Sequence, residues 1–234
     1  MARLSRVVAP GLPHHVTQRG NRRQLTFFNE EDYVEYGRLL AESCRRCGTQ
    51  VLAYCLMPNH VHLVLVPADE LGLRDALGEA HRRYTRRVNF REGWRGHLWQ
   101  ERFHSFVMDE RHLLAAVRYV ELNPVRARLC ARALDWPWSS AAAHLTGRDD
   151  PLVTVRPLLE LVPDWEAFIG GADDAKVDEL LRGHASTGRP LGSDGFVESL
   201  ERRLARSLKP KKPGPKPRGM DLRTGDLSGE VEWN

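Results

Sequence analysis

The chain has 234 residues, of which 41% are hydrophobic and 28% charged, with 35 Lys and Arg against 31 Asp and Glu. That length and apolar content suit one core, or one core with an appendage, and exclude a membrane-embedded chain, because no apolar run approaches the roughly 20 residues of a spanning helix. The N-terminus, MARLSRVVAPGLPHH, lacks the long apolar stretch of a secretory signal, so a cytoplasmic protein is expected.

The charge is unevenly spread. Residues 1–134 hold 21 arginines and no lysine against 14 acidic residues, and four of the five lysines lie between Lys209 and Lys216. A basic body with a basic tail points to a polyanion partner. Arginine grips phosphate and guanine with two parallel hydrogen bonds and stacks on bases, which lysine does less well. The four cysteines, Cys44, Cys47, Cys55 and Cys130, do not form a disulfide framework in a chain this long. The single CxxC at Cys44 and Cys47 falls in a helical pattern and reads as ordinary helix cysteines.

In chain order, His15 to Arg19 reads as a first strand, closed by a turn at Gly20-Asn21 and the basic pair Arg22-Arg23. Asn29 can cap a helix whose first turn carries Glu30, Glu31 and Asp32, favourable against the helix dipole. Its apolar positions, Tyr33, Tyr36, Leu39 and Leu40, recur at helical spacing until Gly48 stops it. Residues 50–55 and 60–66 are the second and third strands. Residues 69–90 form a long helix, with Leu73, Leu77, Ala80 and Tyr84 on one side and Arg82, Arg83, Arg86 and Arg87 on the other. Residues 97–107 read as a fourth strand. Asp109 can cap a helix running to about Leu122, and Pro124 suits the first turn of a short helix after it. The order β-α-β-β-α-β predicts an α+β domain of the ferredoxin-like, split βαβ kind, an antiparallel sheet with helices on one face. Residues 148–208 are expected to form a helical extension of the domain at 1–147. Residues 209–234, rich in Pro, Gly and charge, are expected to be a disordered basic tail.

The third strand carries the most informative pattern, Pro58-Asn59-His60-Val61-His62. Residues i and i+2 of a strand share a face, so His60 and His62 project side by side with Cα atoms roughly 6.7 Å apart, and Val61 turns to the opposite side. Two imidazoles so placed can hold one divalent cation; taken alone, the pair is also compatible with a merely structural role. The second marked segment is Arg118-Tyr119-Val120-Glu121-Leu122-Asn123-Pro124, where Tyr119 and Asn123 share a helix face at i and i+4. Glu121 points elsewhere on that helix and is expected to be solvated. The remaining tyrosines, Tyr33, Tyr36, Tyr54 and Tyr84, are expected to be packing residues.

PNHVHLVLVP followed by RYVELNPVRA resembles the REP-associated tyrosine transposases, within the single-strand transposases that carry a His-hydrophobic-His pair and one tyrosine. HVTQRGNRRQLTFF, LWQERFHSFVMDE and DWPWSS extend the likeness over residues 5–147. The resemblance implies that Tyr119 is the nucleophile, that His60 and His62 hold Mg²⁺ or Mn²⁺, and that Asn123 is the third ligand. Asn123 is equally suited to ending its helix before Pro124. The implied reaction cleaves and rejoins single-stranded DNA at hairpin-forming repeats through a 5′-phosphotyrosine link. A hairpin or single-stranded DNA is the implied partner, with no small-molecule substrate. Arg19, Arg22, Arg23, Arg82, Arg83, Arg86, Arg87 and Arg102, with Trp99, are the expected DNA contacts. A monomer is expected, with a homodimer as the other arrangement. A replication relaxase shares the histidine pair but not the RYVELNPVRA context, and a DNA-binding regulator without strand transfer is the non-enzymatic alternative.

Overall fold

The computed structural model describes residues 6–171 and 175–209. The expected disordered tail therefore lies, from residue 210 on, outside the described residues. Four strands, β1 (His14–Arg19), β2 (Gln50–Met57), β3 (His60–Val66) and β4 (His104–Val107), form one sheet in the order β2-β3-β1-β4, and each neighbouring pair is antiparallel. Helices α1 (Glu30–Arg46) and α2 (Gly72–Glu92) follow β1 and β3. This is the expected ferredoxin-like arrangement.

The first half of the core lies between the sheet and α1 and α2. Val16, Val61, Leu63 and Leu65 of the strands meet Tyr36, Leu39 and Leu40 of α1 and Leu73, Leu77 and Tyr84 of α2, all buried. Helix α1 starts where Asn29 accepts from the Asp32 amide at 3.0 Å. It stops where Gly48 takes a φ of 58°, a left-handed conformation that only glycine adopts without strain.

The opposite face of the sheet is covered as well. Helix α3 (Glu110–Glu121), capped by Asp109, lies across β2 and β3. The short helices α4 (Asn123–Arg126), α5 (Ala141–Thr146), α6 (Arg156–Leu159) and α7 (Trp165–Gly170) follow, then α8 (Ala175–Thr187) and α9 (Asp194–Leu204). Val117 and Val120 of α3 share a second core with Val64, Phe106, Leu158, Trp165 and Leu181. Helices α3, α6, α7 and α8 thus close the face that α1 and α2 leave open, while α9 packs with Val7, Ala9 and Val107.

The fourth strand is shorter than the pattern predicts. Leu98 and Gln100 do pair with the end of β1 and the turn after it, through Asn21 N to Leu98 O and Gln100 N to Arg19 O, both 2.8 Å. Glu101 then takes a φ of 49°, which breaks the ladder, and the strand proper begins only at His104. The apolar residues of 97–103, Leu98, Trp99 and Phe103, are buried in the core without belonging to the sheet, a distinction that a strand pattern cannot make.

A candidate tyrosine and histidine site on the sheet

Strand register brings the polar residues together. His60 pairs with Arg19 and Met57, and His62 with Thr17 and Cys55, so His60, His62, His15, Thr17 and Arg19 share the face that α3 covers. The alternation expected of β3 holds: Val61 is fully buried among α1 and α2 residues on the other side. The ring centroids of His60 and His62 are 5.0 Å apart. Each is oriented by a neighbour: His60 Nδ1 lies 2.6 Å from Asn59 Oδ1, and His62 Nδ1 lies 3.2 Å from His15 Nε2. Those contacts leave Nε2 as the nitrogen of each ring that could hold an ion.

Helix α3 carries the tyrosine to the same place. Asp109 fixes its start by accepting from the His112 amide at 3.1 Å. Its apolar stripe packs on the sheet, and Tyr119, 7% exposed, ends up with its ring centroid 5.6 Å from His62 and 6.1 Å from His15. The helix then breaks at Leu122, and Pro124 opens α4 where its missing N–H costs nothing. Asn123 lies one turn beyond Tyr119 and donates its amide nitrogen to Tyr119 O at 3.1 Å, which leaves Oδ1 as its acceptor atom. Arg126 donates to the same carbonyl at 2.9 Å, and its guanidinium sits 5.0 Å from the centre of the Tyr119 ring. All these groups line one cavity of about 590 Å³, together with Arg19, Gln18 and Arg182 of α8.

Burial keeps the histidines neutral. It lowers His15 to about 4, and lowers His60 to about 4 with help from the Arg19 charge. His62 is held well below the ordinary histidine range by burial, by the two neighbouring histidines, and by Arg19 and Arg126. Neutral imidazole is the form that binds a metal. Among the described residues no three His, Cys, Asp or Glu side chains are grouped to hold an ion. The residues that could hold one are His60, His62 and Asn123, a donor set softer and less charged than Mg²⁺ prefers and better matched to Mn²⁺. His15 Nδ1 is buried without a hydrogen-bond partner.

Several expectations change in the structure. Glu121 is fully buried rather than solvated. Its Oε1 accepts from Ser140 Oγ and contacts His144 Nδ1, both at 2.6 Å, and its Oε2 accepts from Trp165 Nε1 at 3.0 Å. A carboxylate can be buried when groups from two distant segments, at 140–144 and at Trp165, converge on it. Trp99 is 8% exposed, with its ring 4.8 Å from His81 and 5.9 Å from Tyr36, so it is a core residue and no surface for stacking bases. The other expected DNA contacts divide by location. Arg19 lines the cavity. Arg22 and Arg23 are exposed on the turn after Gly20, both at positive φ. Gly20 is required there, because a Cβ would sit 2.4 Å from Gln24 O. Arg82, Arg83, Arg86 and Arg87 lie on α2, beyond the sheet from the histidines. Of these, Arg82 pairs with Glu79 at 2.9 Å and Arg83 with Glu42 at 2.7 Å. Arg102 is exposed at the edge of a second cavity, of about 410 Å³, beside α2.

The other tyrosines are packing residues, as expected. Tyr36, Tyr54 and Tyr84 are raised far above the usual phenol range by burial, and Tyr33 is pushed up to about 12. Sequence reasoning missed His15, Arg126 and Arg182. Arg126 stands in the quoted RYVELNPVRA segment and could have been found from its helical spacing to Tyr119. Nothing local marks Arg182, which reaches the site from α8.

Comparison with known proteins fits this geometry. A family model described as "Transposase IS200 like" matches residues 10–123. A solved REP-associated tyrosine transposase bound to a REP hairpin superimposes with a TM-score of 0.55 at 19% identity, covering 66% of this chain and 92% of that one. A candidate transposase from Deinococcus radiodurans R1 gives a TM-score of 0.37 at 20% identity, covering 51% of this chain and 96% of that one. No curated protein matches the chain.

Proposed function

We propose that the chain is a single-strand DNA endonuclease and transposase of the REP-associated kind, with Tyr119 as its nucleophile, a reading supported by the match of residues 10–123 to the IS200-like transposase family model. The observation that carries this reading is the convergence of Tyr119 with His60 and His62 in one cavity of about 590 Å³. A tyrosine buried against neutral histidines has no packing explanation for the polar groups around it, and the chemistry they suit is phosphoryl transfer.

Tyr119 Oη attacks phosphorus, the P–O3′ bond breaks, and the departing O3′ takes a proton to leave a free 3′-OH, while the phenolic proton passes to solvent. The product is a 5′-phosphotyrosine link, which retains the phosphodiester bond energy, so rejoining needs no nucleotide cofactor. His60, His62 and Asn123 are the residues that would hold a divalent cation, Mn²⁺ or Mg²⁺. When bound, that ion supplies a Lewis acid for the phosphate oxygens. The chain's own contribution is position. The α3–α4 break holds Tyr119 and Asn123 in fixed relation, and the sheet register fixes both imidazoles. Arg126 over the ring and Arg19 beside His60 place positive charge where phosphate must sit.

The DNA itself is proposed to be a hairpin with a single-stranded flank. Arg19, Arg22 and Arg23 lie on the site's side and grip backbone phosphates, and Arg86 and Arg87 extend the basic surface around α2. We further propose that the protein acts as a monomer, since the tyrosine and the histidines of one chain already meet, and no exchange of α3 between copies is required. Among the described residues no helix is long and apolar enough to cross a membrane, and a cytoplasmic location is proposed with the DNA substrate.

The test incubates a labelled hairpin oligonucleotide carrying single-stranded flanks with Mn²⁺ and protein, and reads a covalent adduct on a denaturing gel. The wild type should form it and Tyr119→Phe should not. Hairpin binding with no cleavage by the wild type on any flank would instead support the regulator reading.

A further inference from the structure

We propose that Arg182, brought by α8 from outside the family-matched segment, is a catalytic residue of the cleavage reaction. This rests on the strand-cleaving reading above. Arg182 lines the cavity that holds Tyr119, His60 and His62, and its charge acts on the Tyr119 side chain. It thus faces the same space as the group that attacks.

The placement is built rather than incidental. Leu181, one residue earlier, is 1% exposed in the core beneath α3, and Ala185 O meets His104 Nδ1 of β4 at 3.1 Å, so both sides of the Arg182 position on α8 are anchored. Asp178, one turn before Arg182, links the two cations of the site. Its Oδ2 lies 3.2 Å from Arg126 Nε and 3.8 Å from Arg182 Nη2. One carboxylate therefore lies between two guanidiniums of the same cavity. Cleavage creates negative charge at that place, first on the phenolic oxygen as its proton leaves to solvent, then on the phosphate as the Tyr119 Oη–P bond forms and P–O3′ breaks. Arg182 serves both: it donates to the phenolate as it forms and to a non-bridging phosphate oxygen in the transition state. The Arg182 side chain is 66% exposed, so its head can follow the phosphate, whereas Asp178 and Arg126 are largely enclosed and act as the fixed frame. The C-terminal extension thereby completes the active site.

The test measures single-turnover adduct formation on a labelled hairpin oligonucleotide with Mn²⁺, alongside the hairpin Kd. Arg182→Ala should slow adduct formation about 10²- to 10³-fold, the loss typical of removing one transition-state donor, with Kd changed less than threefold. Arg182→Lys should recover part of the rate, and added methylguanidine should accelerate the Ala variant but not the wild type. Circular dichroism confirms that both variants fold. An Ala variant that cleaves at the wild-type rate or faster would overturn the assignment and make Arg182 a lock on Tyr119. A rate loss that matches the loss of hairpin binding, without rescue by methylguanidine, would reduce Arg182 to a binding residue. No adduct from wild type that binds the hairpin would overturn the cleavage reading itself, and this assignment with it.

Discussion

At the scale of single residues, neighbours decide what each polar group can do. Asn59 and His15 occupy the Nδ1 atoms of His60 and His62, and burial keeps both rings uncharged, which supports the proposal that they hold an ion. His60→Ala or His62→Ala should abolish adduct formation while leaving hairpin binding within a fewfold. Chelation of divalent ions should stop the wild type, and Mn²⁺ should restore it more fully than Mg²⁺, as the two-imidazole donor set favours. Glu121 gives a stability prediction. Removing it by Glu121→Ala leaves the Ser140 hydroxyl, His144 and the Trp165 indole N–H buried without their common acceptor. The expected loss is about 3–5 kcal/mol, the cost of breaking a buried charged network at one partner, read as a lower denaturant midpoint. A loss below about 1 kcal/mol, the worth of a typical surface contact, would mean the network contributes little. The pairs His60–His62 and Tyr119–Asn123 were legible in the sequence because i+2 on a strand and i+4 on a helix are local geometry. The environment of Glu121 was not, since its partners lie 19 to 44 positions away and a lone Glu on an amphipathic helix reads as solvated.

At the scale of elements, α1 and α2 are joined by a histidine that must stay neutral. His81 is half-buried against Trp99, with Nε2 3.0 Å from the Tyr36 hydroxyl, and desolvation lowers it to about 3. His14, buried beside β4, is lowered to about 4. In the unfolded chain both titrate near 6.5, so below that pH the unfolded state binds more protons than the folded one and stability falls. The fall should begin near pH 6.5 and continue toward pH 4, by at most about 1.4 kcal/mol per pH unit for each histidine. Denaturant midpoints measured from pH 7 to 4 check this, and His81→Gln should make the slope shallower. A midpoint independent of pH over that range would contradict the assignment. Element boundaries were mostly visible in the pattern: Asn29 and Asp109 announce their helices through cap chemistry. The overlong fourth strand was not correctable from sequence, because the break at Glu101 is a single backbone angle forced by the turn toward His104.

At the scale of the whole molecule, the second layer of helices was the least legible part. Periodicity predicted helices in 149–182 but not where they would go, since packing partners leave no trace in local spacing. The structure places Leu158, Trp165 and Leu181 in the same core as the α3 face, so the extension and the sheet share apolar surface. Shortening the protein after residue 147 should expose that surface and lower stability sharply, which thermal melting checks; an unchanged melting temperature would show the extension to be dispensable. It also removes Arg182 and Asp178 from the site, so the family-matched segment alone should cleave poorly even where it folds. The most direct test of the central claim is to trap the covalent complex on a hairpin with Mn²⁺, digest it with trypsin, and locate the nucleotide by mass spectrometry. The predicted result is a single modified peptide, Tyr119 to Arg126, with the phosphate on Tyr119; a nucleotide attached to any other residue would contradict the account.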